Sequence, residues 1–239
     1  MLEAGLWGLA AASTLVIGAW IGLAARVPRR VVGLAMAFGV GALISALAFD
    51  LTQEAFRIGG TLPVGIGLGA GALTFYAGNR LLESGRRGSK VSGPDGNGKA
   101  IVLGALLDGI PESIVLGSTL LAGAGVSVPF LAAVAISNVP EGLTSAVDLR
   151  REGHRPGWII SVWAIVALVS GLAAGLGYGL LGVMGASEWV PLIQAFAAGA
   201  ILTMLVDTMI PEAFADGGNL VGLATVLGFA AAFFLTKVG

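Results

Sequence analysis

Two short stretches hold the side chains best able to do chemistry. They are Leu107-Asp-Gly-Ile-Pro-Glu-Ser113 and, 29 residues later, Ile136-Ser-Asn-Val-Pro-Glu-Gly142. In the first, Asp108 and Glu112 are four apart and share a helix face. Pro111 cannot donate an amide hydrogen bond, so it frees the carbonyl of Leu107 near that face. The second repeats the device: Ser137, Asn138 and Glu141 stand at i, i+1 and i+4, and Pro140 frees the carbonyl of Ile136. Each is a cluster of hard oxygen donors, and two such helices side by side could enclose one divalent cation. Either motif alone also fits a kink with a protonated or interfacial glutamate.

The surroundings of both motifs are apolar. The chain has 239 residues, 56% hydrophobic and 11% charged, where soluble domains carry roughly 25% charged residues. Mean hydropathy is +0.92. The apolar runs are continuous and about 20 residues long, which fits membrane helices and not the alternation of barrel strands. An ionisable residue in such a helix is costly and marks a pathway or site. With no cysteine, thiolate metal sites and thiol catalysis are excluded. The one histidine, His154, falls in a charged loop, so no imidazole is expected within the membrane. The N-terminal run lacks a basic flank and is long enough to span, so it reads as a helix and not a cleaved signal. No phosphate loop, nucleotide fingerprint or Ser/His/Asp set is present, and neither an enzymatic activity, a prosthetic group nor a nucleic-acid partner is expected.

Eight spans position the motifs, at about 4–25, 31–56, 61–82, 100–122, 128–149, 157–182, 190–212 and 218–238. A polar linker, 83–99, separates helices 1–3 (residues 1–82) from a central pair, spans 4 and 5 (100–150), and from spans 6–8 (151–239). Eleven of the 13 basic residues fall on the first, third and fifth loops; Arg57 and Lys237 do not. The positive-inside rule makes those loops cytoplasmic and both termini extracytoplasmic, in an inner (cell) membrane.

The sequence also repeats itself. Phe38, Gly41, Ala42, Leu47, Glu54, Ala55 and Phe56 recur 158 residues later as Phe196, Gly199, Ala200, Leu205, Glu212, Ala213 and Phe214. Span 2 runs outward and span 7 inward in this topology, and related helices of opposite direction mark inverted-repeat transporters. The expected fold is all-α, three helices, a pair, then three. Asp50 and Glu54 on span 2, and Asp207 and Glu212 on span 7 with Pro211 beside them, lie toward span ends. They read either as acids along an ion pathway or as interfacial carboxylates. Asp148, next to Arg150 and Arg151, reads as a solvated helix end.

With these features the whole chain resembles the ZIP family of divalent-metal transporters, on its bacterial GufA-like side. Asn138-Val-Pro-Glu-Gly142 is the most specific piece, and Ile210-Pro-Glu-Ala213 also resembles the family pattern. The resemblance implies a homodimer that moves zinc, iron, manganese or related ions toward the cytoplasm by an elevator-like movement, with the metal held between spans 4 and 5. The chain departs from the pattern in three places. Asp108-Gly109 replaces a His-Asn, Ser137 stands where a His is common, and Ala174 in Ser170-Gly-Leu-Ala-Ala-Gly175 stands where many members carry a Glu. The resemblance then implies one metal position, formed by Asp108, Glu112 and Glu141 with Ser137 or Asn138, and no second. An all-oxygen site leans toward manganese, iron(II) or magnesium rather than zinc. The alternative is a non-transporting receptor or scaffold that kept the fold with a degenerate site. An intramembrane aspartyl protease, using Asp108 with another buried Asp, fits less well because Asp50 and Asp207 sit near span ends.

Overall fold

The computed structural model describes residues 1–88, 94–122, 125–183 and 186–238, and within these it leaves out the side chains of 82–103, 107, 108, 122, 186–188, 237 and 238. The described residues form eight helical rods and no strand. They are α1 (Leu2–Ala24), α2 (Arg29–Gly59), α3 (Thr61–Gly88), α4 (Pro94–Thr119), α5 (Val128–Arg151), α6 (Pro156–Val183), α7 (186–217) and α8 (Val221–Val238). Among the described residues, six stretches are long and apolar enough to cross a membrane, one of them, Trp189–Thr236, running through the α7–α8 turn. The chain is a multi-pass helical membrane protein. Helical structure enters the polar 83–99 stretch from both sides, to Gly88 and from Pro94; residues 89–93 of that linker lie outside the described residues.

Lipid offers no hydrophobic drive for helix association, so helices bind through close backbone approach at small residues. The glycines show where. A Cβ at Gly18 or Gly22 would strike the backbone of Val139 or Leu143, which locks α1 to α5. Gly109 and Gly177 meet Ser170 and Ile114, joining α4 to α6. Gly67 and Gly71 meet Ala195 and Phe196, joining α3 to α7. In each pair residue numbers rise together, so the partners run parallel. Along α1 and α6 they fall, from Met1 against Gly179 to Leu9 against Gly171, and those two are antiparallel. Two groups result: α1, α4, α5 and α6, and α2, α3, α7 and α8. Among the described residues α4 and α5 pack far more on α6 and α1 than on each other, because the contact glycines point that way.

The 158-residue repeat recurs in backbone detail. α2 widens into a π turn at Leu47–Thr52, and α7 does so at Leu205–Met209. Each then continues for two turns and ends at a glycine, Gly60 with φ 74° and ψ −165° or Gly218 with φ 66° and ψ −145°. That region is open only to glycine. Packing repeats as well: Gly41 lies against the Thr225 carbonyl of α8, and its counterpart Gly199 against the Leu68 carbonyl of α3. Proline does not make the π turns, since Gln53 stands in α2 where Pro211 stands in α7.

Gly41→Ala and Gly199→Ala should each destabilise the protein by about 1–3 kcal/mol, the usual cost of overpacking. Gly69→Ala, whose added methyl meets nothing within 4 Å, should not. Thermal unfolding in detergent distinguishes the three.

Candidate metal site

Pro111 and Pro140 both lie inside unbroken helices, so the two Pro-Glu motifs keep their turns in register while giving up one amide donor each. Glu112 is 4% exposed and Ser113 6%, buried where α4 meets α6 and α7. On α5, Ser137 is 2% exposed, Asn138 5%, and Glu141 is half-buried. A buried carboxylate in low dielectric must be paired, hydrogen-bonded or protonated, and both glutamates have interaction partners. The side chain of Asp108 lies outside the described residues. Among the described residues no three His, Asp and Glu side chains cluster closely enough to hold a metal ion. Of the expected donor set, the description therefore leaves Glu112, Ser137, Asn138 and Glu141, on two helices.

The neutral members are tied into the scaffold. Asn138 Nδ2 donates to the carbonyl of Ala11 on α1 at 3.2 Å, and Ser137 Oγ donates to Val134 O at 2.9 Å. α2 closes over the same turn, with Gly39 against Ser137. The Ser137 hydroxyl proton and one Asn138 N–H are used, and both side chains retain acceptor oxygens, so either could still face a cation. On the α4 side the matching position is Gly109, one residue after Asp108, and it faces Ser170 Oγ, a buried hydroxyl with no hydrogen-bond partner among the described residues. Ala174 is fully buried, pressed against Gly8 of α1 and Gly117 of α4. A glutamate there has no room.

The other acids separate. Glu54 is bound twice by Arg57, Nε to Oε2 at 2.8 Å and Nη2 to Oε1 at 2.5 Å. Asp50 is half-buried in the π turn of α2. Asp207, in the matching turn of α7, is exposed on the outside of the bundle beside Tyr76, Asn79 and Arg80. Glu212 lines a cleft of about 290 Å³ where the ends of α5 and α7 meet the start of α2. Asp148, Asp216, Arg29 and Arg151 share that cleft, with Arg29–Asp216 at 3.6 Å and Arg151–Asp148 at 3.2 Å. Asp216 was missed from the sequence, although it stands four residues after Glu212, on the same helix face.

No family model matches the chain. It is similar to a protein of Arabidopsis thaliana named "Putative zinc transporter", 28% identical over 190 residues. The match covers 77% of this chain and 30% of that protein's length.

The tie to Ala11 makes Asn138 a packing residue as well as a candidate ligand. Asn138→Ala should lower stability by about 1 kcal/mol, the usual net value of one buried hydrogen bond. Ser170→Ala, which removes a hydroxyl that makes none, should leave it unchanged or raise it. Ala174→Glu should reduce the yield of folded protein rather than add metal binding. Calorimetry and size-exclusion profiles of the three variants check these outcomes.

Proposed function

We propose that this chain carries divalent metal cations of the zinc, manganese and iron(II) class across the cell membrane by alternating access. The observation that carries the reading is Glu112, 4% exposed within an apolar helix behind Pro111, with the same Pro-Glu step on α5. Ordinary packing has no use for two such acids. The named relative supports the substrate class, although it is a much longer protein. In this reading the cation sits between α4 and α5, on Glu112 and Glu141 with Asp108 and the acceptor oxygens of Ser137 or Asn138. All eight rods span, related three-plus-two-plus-three by inverted repeats. The ends rich in Lys and Arg face the cytoplasm, both termini face outward, and two copies pair in the inner membrane.

The helix groups suggest the movement. α4 is fastened to α6 and α5 to α1, while α2, α3, α7 and α8 pack mainly among themselves, with α2 also lying on α5 at Gly39 and Ser137. Sliding one group on the other would expose the site to each side in turn. The two groups also wall the cleft at Glu212, which would receive the ion on the cytoplasmic side. A membrane potential of 100 mV favours entry of a doubly charged ion by about 4.6 kcal/mol, so no coupling ion is required.

Uptake into proteoliposomes across a panel of divalent ions tests the proposal. Glu112→Ala and Glu141→Ala should each cut flux by about tenfold or more, equivalent to ~1.4 kcal/mol of lost stabilisation. Flux indifferent to both would remove the mechanism, and no flux for any metal would favour the scaffold alternative. Because the ligand set is all oxygen, manganese and iron(II) should compete well with zinc; zinc bound far more tightly than manganese through the same glutamates would contradict this. Glu212→Gln should slow uptake, whereas Glu54→Gln, which loses only an interfacial pair with Arg57, should not.

A further inference from the structure

α3 and α7 leave a polar cleft of about 280 Å³ on the outer surface of the bundle, lined by Tyr76, Asn79, Arg80 and Asp207. Its surroundings are those of a lipid-facing wall. Leu73, Leu202 and Val206, on the same two helices, are 70%, 45% and 54% exposed. Arg80 and Asp207 both lie toward the ends of their spans, the depth at which charged side chains meet lipid head groups.

The cleft does not satisfy itself. No ion pair joins Arg80 to Asp207. The guanidinium lies over the Tyr76 ring, 5.2 Å from its centre, and its Nε donates to Tyr76 Oη at 3.2 Å. Among the described residues only Nε of this guanidinium donates, which leaves the Nη groups with donors to spare. Asp207 is held outward by the π turn: Leu205 and Met209 are buried, while Val206 and Asp207 between them are exposed. Its neighbour Thr208 donates to the Met204 carbonyl and does not reach the carboxylate.

One cleft therefore offers a guanidinium and an amide from α3 and a carboxylate from α7. A ligand that fits carries a phosphate and a cationic amine together. Exposed leucine and valine side chains on the same two helices favour a ligand that carries acyl chains with it. We propose that this cleft binds the head group of a zwitterionic aminophospholipid, its phosphate on Arg80 and Asn79 and its ammonium on Asp207. The three N–H bonds of a primary ammonium can be donated to a carboxylate; a trimethylated ammonium has none to give.

The test uses the full chain, purified and delipidated, with phosphatidylethanolamine, phosphatidylcholine or phosphatidylglycerol of the same acyl chains added to the micelles. Native mass spectrometry counts bound lipid, and thermal unfolding follows its effect. Phosphatidylethanolamine should be retained about tenfold over the other two, the ratio that ~1.4 kcal/mol gives. Asp207→Asn should bring it down to the phosphatidylcholine level and leave phosphatidylcholine unchanged. Arg80→Gln should weaken all three, and Arg80→Lys, which keeps the charge, should recover most of the loss. Equal retention of the three lipids by the unaltered protein overturns the proposal. So does an Asp207→Asn protein that still prefers phosphatidylethanolamine, or a lipid-free dimer cross-linked through residues of this cleft.

Discussion

The structure depends on backbones approaching to the limit that glycine allows. In lipid, burying leucine against leucine replaces one apolar contact with another, so cohesion comes from packing density and from carbonyls brought close to facing helices. The chain's 39 glycines are spent largely on this. They fasten α1 to α5, α6 to α4, α3 to α7 and α2 to α8. Helices so joined cannot separate without opening voids, but the contact between the two groups is lighter. A fold that is rigid within groups and looser between them can slide without unfolding, which is the mechanical requirement for alternating access.

The same arrangement sets the cost of the acids. Glu112 lies within α4, where apolar helices surround it and desolvation raises the cost of its charge. The protein meets that cost locally, with a proline that leaves a carbonyl free one turn back and with partners for both glutamates. A divalent cation would complete the neutralisation, and its release would leave the acids seeking protons or other donors. Ser137 and Asn138 are less adaptable. Asn138 ties α5 to Ala11 of α1, and Ser137 Oγ is turned back onto Val134 of its own helix.

Much of this was legible in the sequence because it depends on run length and repetition. The helices begin and end within a few residues of the apolar runs, and the 158-residue repeat predicted from seven identities reappears in π turns and terminal glycines. What was not legible is which neighbour lies beside a residue near a span end, because run length does not give it. Asp207 and Glu212, each read as a pathway acid or an interfacial carboxylate, diverge: one faces outward beside Arg80, the other lines the cleft with Asp148 and Asp216. Nor does hydropathy say which helix a glycine will meet. The separation of α4 from α5 came from Gly109, Gly177, Gly18 and Gly22, whose spacing fits more than one partner until the others are placed.

The repeat is also broken in ways that matter more than its symmetry. A perfect twofold would give the two ends of the bundle the same chemistry. Arg57, four residues from Gln53, grips Glu54 on one side; 158 residues on, Ala215 stands in its place and Glu212 is left to the cleft. Asn138 anchors α5 to α1, while its counterpart Gly109 leaves Ser170 Oγ without a partner on the α4 side. One acid is paired with an arginine on its own helix and the other faces the cleft; one helix is tied to α1 by a side-chain hydrogen bond and the other is fastened to α6 by glycine contacts. Polarity in the proposed transport cycle would arise from these few unmatched residues laid over an otherwise repeated frame.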